Sequence, residues 1–322
     1  MNPTHRVNVV NPLPWVLRHY EKELSETLER VGWRLNLVSQ RPVERLGRLE
    51  MLCHALVNAI IGAGAGSIQI WPSSGLLEPL LWSLFSRRAS AIIFHDPQPL
   101  RTQRGFGKVS RYLALRFHSS KIVLIVHGAK AERELRKAFP SARILVVGHP
   151  ILSEPRTLDI ATVRHRVLVA GQYKPERDLD LLGRVGRALH GQGLTGRIVG
   201  RGWPAIDGWR VIDRFVTETE LDNELAAAGV VLLPYRNYFQ SNIAVRSVEI
   251  GTPVVGENTE FLVDLVGMGS HIYAHSATTE EIVASLLSAV LPSKGDCHIR
   301  DYQARIDSQW KAVLAEIFLG AV

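Results

Sequence analysis

Short apolar runs alternate with amphipathic stretches along almost the whole chain. Residues 7–10, 33–39, 67–70, 91–94, 122–126 and 144–147 are compact, strand-like runs. Between them, residues 15–31 place Leu17, Tyr20, Leu24, Leu28 and Val31 on one helical face, and residues 49–61, 76–85 and 129–139 read as further helices. Strands that are apolar throughout, separated by helices, describe a parallel sheet covered on both faces. Residues 153–166 are polar, contain Pro155 and read as a linker. A second series follows, with strands at 167–170, 197–199, 210–212, 230–233, 254–255 and 271–273, helices at 179–190, 219–228 and 279–290, and a closing helix at 302–318. The pattern predicts an α/β chain of two Rossmann-like domains, residues 1–151 and 166–300, followed by a helix within 301–322.

The clearest single stretch is 230–256. Val230-Val231-Leu232-Leu233 is a buried-strand run closed by Pro234, a polar aromatic loop covers 235–240, and Ser241-Asn242 is a good helix start. Gly251 stops the helix just before Pro253 and the next apolar run. Strand, loop and helix N-terminus in that order place backbone N–H groups at the carboxyl edge of a sheet, where α/β proteins bind phosphates. An ordinary ligand-free crossover has the same pattern, so the chemistry must be argued from side chains.

Composition narrows the setting. With 322 residues, 46% of them apolar, and no run of 18 apolar residues, the chain has enough material for two globular cores and no expected membrane span. The opening residues lack a charged start followed by an apolar core, and Cys53 and Cys297 are isolated, so a cytoplasmic setting without a metal or redox motif is expected. The net charge of +7 is unevenly placed. Residues 1–150 hold 21 Lys and Arg against 10 Asp and Glu, and the remainder hold 17 against 21. Within the basic half, residues 101–121 carry Arg101, Arg104, Lys108, Arg111, Arg116 and Lys121 and no acidic residue, which points to an anionic partner.

Gly171-Gln172-Tyr173-Lys174-Pro175-Glu176-Arg177, following the 167–170 strand, resembles the diphosphate loop of the nucleotide-sugar glycosyltransferases of the GT-B fold. The 230–256 stretch and the closing helix with Trp310 are similar to two further features of that group, its donor-binding strand and helix and its tail crossing back to the first domain. The nearest likeness is to the retaining glycosyltransferase family 4 group. The resemblance implies a donor site in the cleft between two domains, formed by Gly171, Lys174, Arg177, Gln240, Ser241, Asn242, Ile243, Arg246 and Glu249. It implies a nucleotide diphosphate-sugar as co-substrate and no metal or other cofactor. Cations held where charge develops on a leaving diphosphate stabilise its departure. Charged hydrogen bonds are worth about 1.5–3 kcal/mol each, against about 0.3–1 kcal/mol for a helix N-terminus, so Lys174 and Arg177 should dominate.

The chain departs from that group at its paired glutamates. Alignment on Gly251-Thr252-Pro253 puts Tyr238 and Arg246 in their places. A guanidinium cannot accept the ribose hydrogen bonds that the second glutamate takes. Arg246 is expected to face the donor pocket, with a surface pair to Glu249 as the alternative and Glu249 as a substitute acceptor. On the acceptor side, His95-Asp96 ends the 91–94 strand and forms a candidate pair to orient or deprotonate a hydroxyl. Arg101, Arg104, Lys108 and Arg111 are the candidate acceptor contacts, while His149 reads as structural and His19 as a weaker candidate. The expected reaction moves a sugar to an anionic acceptor, a lipid-linked glycan or phospholipid at the inner face of a membrane. Modification of DNA bases, or sugar-nucleotide binding without catalysis, are the alternatives.

Overall fold

The computed structural model describes residues 5–39, 57, 60, 66–85, 89–98, 103–117, 122–154, 158–267, 272–290 and 296–320. It divides into two units, residues 1–153 with 303–322, and residues 154–302. Of the expected helix over 49–61 only Val57 and Ile60 are described, and both are helical; its other residues, the first residue of the 271–273 strand, and Arg101 lie outside the described residues.

In the first unit, β1 (His5–Asn11), β2 (Trp33–Ser39), β3 (Ser67–Gln69), β4 (Ser90–Ile93), β5 (Ile122–Val126) and β6 (Ile144–Val146) form one parallel sheet in the order β2-β1-β3-β4-β5-β6. β3, β4 and β5 are buried along their whole length, as their unbroken apolar runs require. The helices are α1 (Arg18–Arg30), α2 (Glu78–Phe85), α3 (Lys108–Phe117) and α4 (Ala129–Arg136). The 76–85 helix begins as a single 3-10 turn, Gly75–Leu77, and becomes α-helical at Glu78. The buried Glu78 carboxylate explains that start, because it accepts from the Ser74 backbone N–H at 2.7 Å, the Ser74 hydroxyl at 2.6 Å and Gln69 Nε2 at 2.8 Å. Those bonds fix the loop after β3.

The closing helix α10 (Asp296–Phe318) contributes its residues from Gln303 onward to this unit. Trp310 is fully buried, Arg30 pairs with Asp307 at 2.8 Å, Arg143 pairs with Glu316 at 2.6 Å, and Gln309 accepts from the Gly148 N–H at 2.8 Å.

The second unit repeats the architecture with β7 (Val163–Ala170), β8 (Thr195–Val199), β9 (Trp209–Ile212), β10 (Ala228–Leu233), β11 (Val254–Glu257) and β12 (Ile272–Tyr273), parallel in the order β12-β11-β10-β7-β8-β9. Its helices are α5 (Leu179–His190), α6 (Glu218–Ala227), α7 (Asn242–Ile250), α8 (Glu260–Val266) and α9 (Thr279–Val290). β7 starts four residues before the expected strand, inside the segment read as linker. Its first half is polar because it is solvent-facing there, and the backbone pairing of Val163 with Ala228 and Arg166 with Thr195 makes it a strand all the same. The short helix α8 was not expected; Thr259 caps it, its hydroxyl accepting from the Leu262 N–H.

Candidate active site

In the second unit the strand order reverses between β7 and β10. Neighbouring strands there send their connections to opposite faces, which opens a crevice at their carboxyl ends, the usual ligand position in open α/β sheets. The 171–178 loop leaves β7 and the 234–241 loop leaves β10. Asp178 N–H donates to Pro234 O at 2.8 Å, Arg236 N–H donates to Glu176 O at 2.8 Å, and Arg177 and Tyr235 form an antiparallel bridge. The two loops are therefore one hydrogen-bonded layer.

Several of the expected donor residues meet in that layer. Gly171 has φ of +96°, a left-handed backbone that favours glycine, and a Cβ there would crowd Arg177 Nη2 at 3.2 Å and touch Ile243 at 3.7 Å. Ser241 caps α7 through its hydroxyl, which accepts from the Ala244 N–H at 3.3 Å, and so aims the first turn at the same crevice. Asn242 and Ile243 open that helix. Lys174 is half-buried and has no ion pair among the described residues. Gln240 stands half-buried immediately before the cap.

Arg177 is the unusual member. It is 3% exposed, donates from Nη2 to Ala170 O at 2.9 Å, and pairs with no carboxylate among the described residues. Its Nε and Nη1 are buried without a hydrogen-bond partner in the protein. Burial lowers its pKa from the ordinary value, and the Tyr235 interaction opposes that shift. A buried guanidinium with two unanswered N–H groups costs several kcal/mol unless an anion answers them. Two aromatic side chains lie against it, neither of them singled out by sequence reasoning. The Tyr235 ring centroid is 4.0 Å from the guanidinium carbon, and that of Trp203 is 5.5 Å away.

Arg246 does not face this crevice, contrary to the expectation, and it does not pair with Glu249. It is buried, and its guanidinium binds Asp222 through Nε, Glu218 through Nη1 and the Glu218 carbonyl through Nη2, the last at 3.0 Å. Burial works against its charge, but the hydrogen bonds to Asp222 and Glu218 outweigh it, and its pKa is raised. The reason is local: Glu218 and Asp222 lie one turn apart on α6, which packs against α7. Glu249 is buried further along α7. Tyr238 is buried too, its hydroxyl accepting from Thr259 Oγ1 at 2.9 Å.

In the first unit, His95 lies just past β4 and is 4% exposed. Its Nε2 bonds Ile70 O at 2.9 Å, Trp71 stacks on its ring at a centroid distance of 5.7 Å, and Tyr20 meets it edge-on at 4.3 Å. Asp96 is half-buried beside it. His127 and His149 join the same cluster, each ring within 5.6 Å of Tyr20. Burial and the neighbouring His95 lower the pKa of His127 to about 3, and burial and His127 hold His149 well below its ordinary value. A neutral His127 that gives its Nδ1 proton to Val147 O, 3.0 Å away, must accept at Nε2, so Tyr20 donates its hydroxyl proton there at 2.8 Å. Sequence reasoning passed over Tyr20, Trp71 and His127. One signal was present: His127 follows its strand directly, and His95 follows β4 by one residue. His19 is occupied by Glu23, one turn along α1, at 3.2 Å.

The basic segment of this unit forms α3. Lys108, Arg111 and Arg116 are exposed and form no ion pair among the described residues, and Val109 and Tyr112 are 73% and 64% exposed between them. Arg104 is exposed in the loop before the helix.

No protein-family model and no curated sequence matches the chain. Solved structures do. A sucrose-phosphate synthase from Thermosynechococcus elongatus superposes with a TM-score of 0.63 at 13% identity, over 98% of this chain and 100% of that one. WaaG, a glycosyltransferase involved in lipopolysaccharide biosynthesis, gives 0.57 at 12% identity over 97% and 99%. The pneumococcal O-GlcNAc transferase GtfA, solved with UDP and GlcNAc, gives 0.58 at 11% identity over 85% of this chain, which spans 61% of its length. The chain likewise spans 62% of the GtfA/B structure and 55% of TarM. Two parallel sheets of order β2-β1-β3-β4-β5-β6 and β12-β11-β10-β7-β8-β9, matched end to end by solved glycosyltransferases, give this chain the GT-B fold.

Proposed function

We propose that the chain is a glycosyltransferase that binds a nucleotide diphosphate-sugar at the β7/β10 crevice and transfers its sugar to an anionic acceptor. The observation that carries this reading is Arg177, a buried cation with two unanswered N–H groups on a glycine-opened loop beside a helix N-terminus. A diphosphate carries oxygens on two phosphorus atoms, so it can answer the two diverging groups together through charge-assisted hydrogen bonds. As the glycosidic bond breaks, charge accumulates on that diphosphate, and Arg177, Lys174 and the first turn of α7 stabilise it. The UDP bound to GtfA supports a nucleotide-sugar donor. His95 and Asp96, at the carboxyl edge of the first sheet, are the groups offered to the acceptor hydroxyl.

For the acceptor, α3 supports an anionic lipid or lipid-linked glycan at a membrane surface. Its cations are interleaved with exposed Val109 and Tyr112, an arrangement suited to a headgroup layer with hydrocarbon beneath it. Duplex DNA would use the charge and leave the apolar side chains in water. Among the described residues no helix is long and apolar enough to cross a membrane.

The test is calorimetric titration of UDP and GDP into wild-type protein, Lys174→Ala and Arg177→Ala. One or two charged hydrogen bonds at about 1.5–3 kcal/mol each give Arg177→Ala a loss of at least tenfold, with unchanged melting of the second unit's fold. Equal affinity in all three proteins, or no binding of either nucleotide by the wild type, overturns the reading.

A further inference from the structure

The aromatic side chains around Arg177 suggest how a charge is kept ready without being spent. A structural buried arginine is ordinarily held by a carboxylate, which consumes its in-plane N–H groups; Arg246 in the same unit is held that way by Asp222. Arg177 is held differently. Its charge rests against the Tyr235 ring at 4.0 Å and the Trp203 ring at 5.5 Å, and only Nη2 is spent, on Ala170 O. An aromatic face attracts a cation through its quadrupole and takes no hydrogen bond from the guanidinium edge. Nε and Nη1 are left with no partner in the protein.

Both rings are themselves fixed. Trp203 donates its indole N–H to Gly171 O at 2.8 Å and meets Tyr173 edge to face at 5.4 Å. Tyr235 is anchored on both sides by backbone bonds, its own N–H to Leu233 O at 3.0 Å and the next N–H to Glu176 O at 2.8 Å, and its ring lies 5.1 Å from that of Tyr238. The backbone carrying the ring is therefore held by bonds the donor need not move, and the guanidinium carbon lies over the ring, 4.0 Å from its centroid.

We infer that Tyr235, with Trp203 behind it, is a positioning residue that holds the Arg177 guanidinium by cation–π contact so that its Nε and Nη1 N–H groups, which point to different sides of the guanidinium, are left for the donor diphosphate. This rests on the donor-site reading above and adds the side chain that sets the strength of the diphosphate contact. Tyr235 touches neither the sugar nor the reacting bond. Its effect passes through Arg177 alone, and it makes the site selective for diphosphate over nucleosides lacking phosphate.

The experiment titrates UDP, GDP, uridine, guanosine and inorganic pyrophosphate into wild-type protein, Tyr235→Phe, Tyr235→Leu, Arg177→Ala and the Tyr235→Leu/Arg177→Ala double variant. Tyr235→Leu keeps apolar cover and loses the aromatic face. It should weaken the bound nucleoside diphosphate, and pyrophosphate, by about five- to thirtyfold, the size of a desolvated cation–π contact. Affinity for the phosphate-free nucleoside should change by less than about twofold, and Tyr235→Phe should restore wild-type diphosphate binding. In the Arg177→Ala background the Leu substitution should have no further effect, because the group it acts through is gone. Wild-type affinity in Tyr235→Leu, failure of Tyr235→Phe to rescue, or equal losses for nucleoside and diphosphate overturns the inference while leaving the donor site standing. Arg177→Ala that binds as well as wild type overturns the donor site, and this inference with it.

Discussion

Arg246→Ala separates a donor ligand from a structural tie more sharply than any other single change. In the folded chain Arg246 and Asp222 have side chains 3% and 6% exposed, whereas the second acidic partner, Glu218, is 66% exposed. Removing the guanidinium leaves the Asp222 carboxylate buried with its principal cation gone. Breaking a buried pair from one side costs about 3–5 kcal/mol, while the exposed Glu218 arm adds at most ~1 kcal/mol. With a urea slope of ~2 kcal/mol/M, the unfolding midpoint should fall by roughly 1.5–2.5 M. Arg246→Glu restores the residue of the resembling family, yet it sets a third carboxylate against Asp222 and Glu218 and should be worse than alanine. Arg246→Met with Asp222→Leu removes both charges and should recover most of the loss. Urea unfolding followed by circular dichroism measures all four proteins, and UDP and GDP titration under native conditions measures donor binding. A stability loss below ~1 kcal/mol for Arg246→Ala together with a donor-affinity loss above tenfold would refute the assignment and return Arg246 to the donor site.

Two further outcomes follow from the first unit. His127 is neutral in the folded chain with a pKa of about 3, and in the unfolded chain it titrates at ~6.5. Between those values the unfolded state binds the extra proton, so stability is complete above pH ~6.5 and falls on acidification by up to ~1.4 kcal/mol per pH unit. Urea unfolding of wild type and His127→Gln from pH 7 to pH 5 should show a shallower slope in the variant; equal slopes would place the acid sensitivity elsewhere. On α3, Tyr112→Ser with Val109→Ser should reduce flotation with phosphatidylglycerol vesicles several-fold, leave phosphatidylcholine flotation near background, and leave UDP and GDP affinity unchanged. Loss of duplex DNA binding with undiminished vesicle binding would favour the nucleic-acid reading.

Much of the architecture was legible in the residue pattern. Unbroken apolar runs such as 122–126 and 230–233 can be satisfied only by burial on both sheet faces, and the amphipathic segments between them can only cover such a sheet. The cap at Ser241 was legible as well, because helix starts demand particular residue types, whereas the loop at Gly171 was read from its resemblance to a diphosphate loop and only the structure gives it a left-handed φ of +96°. The polar start of β7 was hidden, since pairing through backbone leaves no mark on exposed side chains.

Partnership was decided only by the tertiary structure. Periodicity reports that a side chain faces inward and is silent about what it meets there. Arg246 reaches Asp222 across 24 residues of sequence, and Tyr20 reaches His127 across 107. Two arginines of one unit thus acquire opposite characters from packing alone. Arg246 meets two carboxylates and becomes a tie between helices, while Arg177 meets two aromatic rings and keeps two N–H groups for an anion. Charge and spacing along the chain are the same kind of signal for both residues. The dielectric and the partner that burial supplies are set only when distant segments come together.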